Sequence, residues 1–320
     1  MNLPSLSVVL PNYNHGRYLP TALRSILGQT AAPLEIIVID DASTDNSLEI
    51  LSGYEREHSN LKVYRNEKNQ GVVFGLNRGL ALARGEYVTF PGADDEVVAG
   101  LFEKSLALLA RYPQAGLCCT VAEWRETFSG LTWHMAAGMA AEPSYLSPDD
   151  LVRLGKNEKL CIITSSCLFK TEPLRSMGGF PPELRWHADW FACYVTGFRH
   201  GVCFVPEVLS LANLLPRSFY QSGHKTGEHR QVILKLLERL NTEAFADVVP
   251  RLRDSGALSL FAMPVLRLVA GRPEFRHFLN PTLVRRTLRR STELQAKRFF
   301  PAWLARWCLN RFYRLPGQRA

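Results

Sequence analysis

The first 125 residues alternate between two kinds of segment, and this alternation restricts the possible folds more than any other feature. Short runs rich in β-branched residues are each followed by a segment with helical periodicity. The runs are SLSVVL, LEIIVID, LKVYR and EYVTF, and the helical segments cover residues 17–29, 45–57, 71–84 and 97–111. Alternating strands and helices are typical of strand–helix–strand units, so the pattern predicts an α/β fold with a mostly parallel central sheet.

The remaining sequence extends this domain and then changes character. Residues 126–160 read as loops and short helices, and strand-like runs return at ITSSCLFK and GVCFVPEVL, on either side of a helical pattern at 187–197. After about residue 225 the pattern is helical and increasingly basic. We therefore predict an α/β domain over residues 1–225 and a helical, basic C-terminal region over residues 226–320.

The net charge of +8 is concentrated near the C-terminus. Residues 265–320 contain 13 Arg or Lys and two Glu, so the rest of the chain is mildly acidic. No nucleic-acid recognition motif is present, which predicts that nucleic acid is not a partner. The N-terminus lacks a basic n-region and no run reaches the roughly 18 apolar residues of a spanning helix, so we expect a cytoplasmic protein.

Polar or conformationally special residues follow three of the predicted strands. They are Pro11-Asn12-Tyr13-Asn14, Asp40-Asp41 and Pro91-Gly92-Ala93-Asp94-Asp95. Ligands of open α/β sheets bind beyond the carboxyl ends of the strands. These three strand ends therefore predict one shared binding site.

Two pairs of adjacent acids belong to this predicted site. A turn with a helix cap explains Asp45 but leaves the adjacent Asp40 and Asp41 without a full explanation. Unpaired neighbours such as Asp94 and Asp95 repel by about 4 kcal/mol at ~4 Å and an effective dielectric near 20. A cation would relieve this repulsion, and carboxylates with a bound diphosphate suit Mg²⁺ or Mn²⁺. A solvated turn is the alternative for either pair.

The segment between the two acidic pairs, NQGVVFGLNRGLALARGEY, is rich in glycine. Glycine in a helix costs up to about 1 kcal/mol relative to alanine, so Gly75 and Gly79 indicate close packing or ligand approach. The segment contains no GxxxxGK[ST] motif, and no GxGxxG follows the first strand. These absences argue against an ATPase and against a dinucleotide-dependent enzyme.

Taken in order, these segments resemble the family 2 glycosyltransferases, which have the GT-A (nucleotide-diphospho-sugar transferase) fold. The matching stretches are VVLPNYNHGRYLPTALRSILGQT, LEIIVIDDASTDNS and NQGVVFGLNRGLALARGEYVTFPGADDE. The likeness is clear over residues 6–110 and extends faintly to about 215. It implies an inverting, metal-dependent glycosyltransferase with Mg²⁺ or Mn²⁺, a UDP-sugar donor and a glycan or lipid-linked acceptor in cell-surface polysaccharide assembly.

The resemblance also implies roles for individual residues. Asp189 matches the general base, which would take the proton of the acceptor hydroxyl as it attacks the anomeric carbon. Asp94 and Asp95 match the metal-binding acids. The positions that match the nucleotide-sugar site are Pro11, Tyr13, Asp40, Asp41, Asn69, Gly71, Arg78 and Asp94. For Asp189, a carboxylate that interacts with a helix dipole is the alternative.

Two positions depart from the family pattern. Gly92 occupies a position where the family commonly has Asp, and Ala188 precedes the proposed base where Glu is usual. These departures favour, as the competing reading, a catalytically impaired module that binds nucleotide sugar or glycan. A nucleotidyltransferase ranks lower, because PNYNHGRYL stands where such an enzyme has a glycine-rich basic loop.

For a few other residues, the sequence leaves two alternative roles open. Trp186 and Trp190 flank the proposed base and would either stack on an acceptor sugar or pack in the core. His224, with Arg217 and Lys225, would either face the diphosphate or lie in a solvated loop. The basic segment 282–314, with aromatic residues at helical spacing, would either lie on an anionic membrane surface or pack on the domain.

Overall fold

The computed structural model of the chain describes residues 3–215 and 228–299, with side chains described as far as residue 291. Its N-terminal half has the predicted alternation of strands and helices. The strands are β1 (Leu6–Asn12), β2 (Glu35–Asp40), β3 (Leu61–Arg65) and β4 (Tyr87–Thr89). The helices are α1 (Leu19–Leu27), α2 (Ser47–Glu57), α3 (Val72–Leu82) and α4 (Leu101–Arg111).

The second half completes the sheet and then becomes helical, as the sequence pattern predicts. Its strands are β5 (Glu96–Val97), β6 (Leu117–Glu126), β7 (Thr132–Met135), β8 (Ser144–Leu146), β9 (Cys167–Lys170) and β10 (Val202–Leu214). Its helices are α5 (Pro148–Lys156), α6 (Thr171–Ser176), α7 (Ala188–His200), α8 (His229–Leu240), α9 (Val249–Ser255), α10 (Ala262–Gly271) and α11 (Pro281–Phe299).

All ten strands of the described residues form one sheet. Its order is β3-β2-β1-β4-β9-β6-β10-β5, with β7 beside β6 and β8 beside β10. Strands β1 to β4 are parallel, and so are β6 and β10. Strand β9 runs antiparallel to both β4 and β6. The parallel sheet predicted from the sequence is therefore found in the N-terminal half, whereas the other half is mixed.

Helices cover both faces of the inner parallel strands, which explains why β1 and β2 are nearly continuous apolar runs, whereas the edge strand β3 also contains Lys62 and Arg65. Successive side chains of a strand point to opposite faces. Accordingly, Val9 of β1 belongs to the same core cluster as Leu76 of α3. Its neighbours Val8 and Leu10 belong to a second cluster, with Leu23 of α1. Strand β1 thus lies at the centre of two hydrophobic layers.

Two glycines allow α3 to lie directly on β1. A Cβ atom on Gly79 would lie 2.2 Å from Val9 Cγ1, and one on Gly75 would lie 3.3 Å from Pro11 Cβ. A side chain at position 79 would force the helix away from the sheet. Of the two explanations for these glycines, the structure supports close packing.

The C-terminal helices add their apolar faces to the core of the α/β domain. Ile233 of α8, Leu268 of α10 and Leu283 of α11 belong to the same cluster as Phe191 of α7. The predicted boundary between residues 225 and 226 lies in the segment 216–227, outside the described residues.

The basic segment 282–314 is described only as far as residue 299, where it forms most of α11. Its aromatic residues from Phe300 onward lie outside the described residues. Among the described helices, none is long and apolar enough by itself to cross a membrane. Val249–Ser255 and Ala257–Gly271, bent by 64° relative to each other, satisfy the length and composition criteria only as a pair.

Candidate functional site

Buried side chains join the carboxyl ends of β1 and β2. Asn12 Nδ2 donates hydrogen bonds to Asp40 Oδ1 at 2.8 Å and to Ser43 Oγ at 3.1 Å. The Ser43 hydroxyl donates to Asp40 Oδ1 at 2.6 Å, and its N–H donates to Oδ2 at 3.1 Å. Asp40 has no exposed surface. Its carboxylate therefore holds the two loops together from inside the protein.

Asp41, the next residue, faces the loop that follows β3. Its Oδ1 accepts hydrogen bonds from Asn66 Nδ2 at 2.6 Å and from the N–H of Gln70 at 2.9 Å, and its Oδ2 accepts one from the N–H of Gly71 at 2.7 Å. Gly71 has a φ of 89°, which favours glycine. Apart from Gly71 and its chain neighbours, no described atom lies within 4 Å of the position that a Cβ on Gly71 would occupy. The backbone at Gly71 thus borders an open space, whereas Asp41 itself is only 5% exposed.

Arg78 reaches back from α3 to the same loop. Its Nη1 donates to the carbonyl of Arg65 at 3.1 Å and to Asn66 Oδ1. Asn66 therefore links the guanidinium of Arg78 to the carboxylate of Asp41. Asn69 Oδ1 accepts a second hydrogen bond from the N–H of Gly71, at 3.1 Å. Three predicted nucleotide-site residues on separate segments, Asp41, Asn69 and Arg78, are thus connected through this loop.

The end of β1 lies next to the loop that follows β2. Tyr13 follows the strand with 44% of its surface exposed. Its neighbour Asn14 accepts hydrogen bonds through Oδ1 from the N–H groups of Thr44 at 2.8 Å and Asp45 at 3.3 Å. The loop that carries Pro11 and Tyr13 is consequently tied to the loop that carries Asp41.

The acidic motif forms a tight turn between β4 and β5. The N–H of Asp95 donates to the Gly92 carbonyl at 3.1 Å. A Cβ on Gly92 would lie 2.9 Å from Asp94 Oδ1 and 2.7 Å from Asp95 Oδ2. The two carboxylates therefore converge over Gly92, in the space that the first atom of an aspartate side chain would enter.

Desolvation raises the pKa values of both acids of this turn. It is the main cause that raises the pKa of Asp95, to about 8, and the neighbouring Asp94 carboxylate adds to it. For Asp94, the charge of His15, in the loop after β1, acts in the opposite direction and lowers the pKa. The loop after β1 and the acidic turn are therefore close enough to interact electrostatically.

The acidic turn fits a hard divalent cation. Two carboxylate oxygens border one small space, and a bound cation would relieve the repulsion between them. Within residues 3–215 and 228–299, no group of three or more His, Cys, Asp or Glu side chains has an arrangement that could hold a metal ion. A cation at Asp94 and Asp95 would therefore need ligands from another molecule, such as the oxygens of a diphosphate or of water.

Asp189, the predicted general base, lies in the first turn of α7. Its Oδ1 accepts a hydrogen bond from the N–H of Trp190 at 2.6 Å. The residue is accessible to solvent, but nearby protein atoms partly desolvate the carboxylate and raise its pKa to about 6. The backbone hydrogen bond and the position in the first turn of α7 fit the dipole partner, whereas the raised pKa fits a proton acceptor.

The two tryptophans near Asp189 contribute to packing. Trp186 is only 9% exposed. The ring of Trp190 stacks on Tyr194 with a centroid distance of 4.6 Å and meets Phe261 edge to face at 4.8 Å. Of the two predicted roles, the structure shows core packing for both rings.

A surface groove of about 610 Å³ lies away from these residues. Its lining includes Glu35, Lys62 and Arg84. Glu35 and Lys62 belong to the amino-terminal parts of β2 and β3, whereas ligands of open α/β sheets bind at the carboxyl ends. We therefore place the candidate site at the acidic turn and the Asp41 loop, and not at this groove.

Comparison with known proteins identifies the family. Residues 7–178, more than half of the chain, match Glycosyl transferase family 2. The chain belongs to glycosyl transferase family 2. The family 2 resemblance predicted from the motifs is confirmed.

Two bacterial relatives illustrate how far this similarity extends. YibD of Escherichia coli (strain K12), an uncharacterized glycosyltransferase, is 34% identical over 155 residues, which are 48% of this chain and 44% of YibD. The GalNAc(5)-diNAcBac-PP-undecaprenol beta-1,3-glucosyltransferase of Campylobacter jejuni is 37% identical over 99 residues, 31% of this chain and 32% of the relative. The matched part is less than half the length of either relative.

Solved structures of other glycosyltransferases share the fold. Staphylococcus aureus TarS 1–349 in complex with UDP-GlcNAc has a TM-score of 0.61 at 20% identity, covering 86% of this chain and 79% of that chain. The mannosyltransferase PcManGT of Pyrobaculum calidifontis, in complex with GDP-Man and Mn²⁺, has a TM-score of 0.54 at 19% identity, covering 90% and 84%. These similarities show the predicted GT-A fold.

Sequence reasoning missed some residues that the structure places at the candidate site. Asn66 follows β3 and could have been found as a fourth polar strand end. His15 carries no comparable signal, and neither does Asn213, whose backbone N–H donates to Asp95 Oδ1 at 2.9 Å. The predicted contacts of Arg217, His224 and Lys225 fall outside the described residues.

Proposed function

We propose that this family 2 member is an inverting glycosyltransferase that moves a sugar from a UDP-sugar to a hydroxyl group of a glycan or lipid-linked acceptor. The observation that carries the proposal is the placement of the Asp41 loop and the acidic turn beyond the carboxyl ends of β2 and β4, the two strands that flank β1 in the sheet. Such strand ends hold the ligands of open α/β folds. TarS, which has the same fold and is complexed with UDP-GlcNAc, supports UDP as the nucleotide.

The nucleotide would lie between the loops after β1, β2 and β3. The exposed ring of Tyr13 offers a stacking surface. Asp41 is only 5% exposed, but its Oδ2 accepts a single hydrogen bond within the protein and has a lone pair left for a base N–H. Asp40 would act indirectly, because it is enclosed by protein and holds the two loops in place. The other proposed contacts in this region are Pro11, Asn69, Gly71 and Arg78.

Asp94 and Asp95 would hold Mg²⁺ or Mn²⁺, with Asp94 also close to the ribose. When bound, the cation would neutralise negative charge on the leaving diphosphate. Support comes from the convergence of the two carboxylates over Gly92 and from PcManGT, which carries Mn²⁺ together with GDP-Man.

Asp189 would serve as the general base. A carboxylate with a pKa of about 6 is mostly ionised at pH 7 and is a stronger proton acceptor than an ordinary aspartate. It would take the proton of the acceptor hydroxyl as the oxygen attacks the anomeric carbon and the bond to the diphosphate breaks. A single displacement of this kind inverts the configuration at that carbon.

A second candidate is a catalytically impaired module that binds a nucleotide sugar or a glycan. Gly92 and Ala188, which depart from the family pattern, favour it. Both candidates predict that UDP-sugars with Mn²⁺ raise the melting temperature. Only the enzyme predicts transfer or hydrolysis of the donor.

The test that separates them is Asp189→Asn. We expect kcat to fall by about 10²- to 10⁴-fold, because proton transfer to the base is lost, while thermal shift still detects donor binding. Asp149→Asn is the matched control, because Asp149 is an exposed acid in the first turn of α5. Unchanged turnover in Asp189→Asn, or an absence of turnover in the unaltered protein, would contradict the enzymatic role.

We further propose a cytoplasmic enzyme of two parts, residues 1–225 and 226–320, with peripheral contact between segment 282–314 and an anionic membrane. The undecaprenol-linked compound in the name of the Campylobacter relative supports a lipid-linked acceptor, and exposed Arg285 on α11 supports the membrane contact. Flotation with anionic vesicles tests the membrane contact. Equal binding of the unaltered chain and an Arg285→Gln variant would argue against this part of the surface.

A further inference from the structure

Strand β10 passes beside the acidic turn shortly before it ends. Its residue Ser210 pairs with Val97 of β5, and Leu211 pairs with Glu96, so the strand that leaves the acidic turn is held antiparallel to β10. Two residues further along β10, half-buried Asn213 comes level with the turn itself.

Asn213 forms hydrogen bonds to both acids of the turn. Its side-chain Nδ2 donates to the backbone carbonyl of Asp94 at 2.6 Å. Its backbone N–H donates to Asp95 Oδ1 at 2.9 Å. The first bond fixes the peptide that joins the two aspartates, and the second fixes the rotation of the Asp95 side chain.

These bonds determine which oxygens remain for a ligand. Because Asp95 Oδ1 is directed to β10, the other oxygen, Oδ2, is directed to the space over Gly92. Asp94 Oδ1 borders the same space. Two like-charged groups in this arrangement repel and would separate if the backbone between them were free to rotate. The side-chain bond from Asn213 opposes that rotation.

We propose that Asn213 is a positioning residue of the cation site, which holds the Asp94–Asp95 peptide so that both carboxylates face the same ion. This inference rests on the proposed function, because it assumes that the acidic turn binds a divalent cation. Asn213 itself would not touch the ion or the substrate. Groups that orient metal ligands in this way typically contribute about 10- to 100-fold to metal affinity.

The test is the Mn²⁺ affinity of the full-length protein with UDP present, measured by titration calorimetry. In Asn213→Ala we expect affinity to fall about 10-fold, and the Mn²⁺ concentration for half-maximal activity to rise by the same factor, with kcat at saturating Mn²⁺ nearly unchanged. Asn213→Leu, which keeps the side-chain volume but lacks the donor, should behave in the same way.

Asn280→Ala is the matched control. Half-buried Asn280 also donates through Nδ2 to a backbone carbonyl, that of Arg253 at 2.7 Å, but it precedes α11 and its Oδ1 accepts from the N–H of Leu283 at 2.7 Å. The Asn280→Ala variant should therefore lose at least as much stability as Asn213→Ala, without any change in Mn²⁺ affinity. A merely structural role for Asn213 predicts that the two alanine variants behave alike.

The possible failures are distinguishable. If the unaltered protein binds no Mn²⁺ with UDP present, the metal site of the proposed function is wrong. If it binds Mn²⁺ and the Asn213 variants bind equally well, only the positioning role is wrong. Failure of both Asn213 variants to fold, while Asn280→Ala folds, would assign Asn213 to fold stability and overturn the proposal.

Discussion

The acidic turn and helix α11 both place like charges side by side, but the groups that offset these charges differ between the two regions. In the turn, Asp94 and Asp95 converge over a glycine, and the described groups that offset their charge are backbone N–H groups and His15. On α11, Arg286 and Arg289 both reach one carboxylate. Arg286 Nε lies 3.6 Å from one oxygen of Glu158, and Arg289 contacts the other.

The difference separates a proposed binding site from a structural clamp. Arg286 is only 4% exposed, and its Nη1 also donates to the Ser255 carbonyl at 2.8 Å, so Glu158 and that carbonyl hold α11 against the preceding helices. Glu158 offsets part of the Arg286 charge, although Nε and Nη2 of Arg286 form no hydrogen bond within the described residues. The described residues form no salt bridge to Asp94 or Asp95, and a half-buried pair of acids that repel each other is stabilised by a cation or by protons. We therefore expect a substitution that neutralises an acid of the turn to raise the stability of the metal-free protein, and one that neutralises a charge of the α11 clamp to lower it.

The largest effect is expected for Asp95→Asn. Loss of one carboxylate should lower kcat/KM by at least about 100-fold, because the charge on the leaving diphosphate is less well neutralised. Yet the metal-free variant should be more stable than the unaltered protein, since the repulsion with Asp94 is removed. Enzyme kinetics and urea unfolding measure the two effects. A variant that is both active and less stable would contradict the view that the two acids serve binding at the expense of stability.

The stability gained in Asp95→Asn should depend on pH. The pKa of Asp95 is raised from 3.8 to about 8, so its unfolded form loses its proton first, and stability falls as the pH rises between those values. His200 has a lowered pKa and acts in the opposite direction. The diagnostic is therefore the difference between the unaltered protein and Asp95→Asn, which should grow from pH 5 to pH 8. A constant difference would mean that Asp95 does not titrate in this range.

Smaller effects of opposite sign are expected on α11. Glu158→Gln should lower the free energy of unfolding by about 2 kcal/mol, because it leaves buried Arg286 without its counter-ion, although the Glu158 side chain is 26% exposed. Arg289→Gln should lower it by less than about 1 kcal/mol, since Arg289 is 55% exposed. Urea unfolding at neutral pH checks both. Equal losses would show that burial of Arg286 does not decide the energetics.

Much of the N-terminal fold was predictable because its signals are local. Strands β1 and β2 are apolar runs because helices cover both of their faces, and they end at Asn12 and Asp40, where polar loops begin. The direction of β9 was not predictable from such signals. It depends on the pairing of segments that are distant in the chain, such as Thr89 of β4 with Leu168 of β9. No local sequence pattern indicates whether such a pair is parallel or antiparallel.

At the candidate site, too, the features with local sequence signals were predictable and those that depend on tertiary contacts were not. The acids could be located because each follows a predicted strand. Their separate roles could not, because the enclosure of Asp40 by Asn12 and Ser43 is a tertiary contact. Asn213 lies 118 residues from Asp95, and nothing local distinguishes it from any other asparagine near a strand end.

The hydrogen bonds around Asp41 have a consequence for how a nucleotide would bind. Its carboxylate is bonded to Asn66 and to the N–H groups of Gln70 and Gly71, and these bonds join protein groups to one another. The entropy lost in ordering this loop is therefore part of the cost of folding. An arriving nucleotide would meet a preorganised surface and would lose mainly its own translational, rotational and torsional freedom. Discrimination between nucleotides would then depend on the shape of this rigid surface.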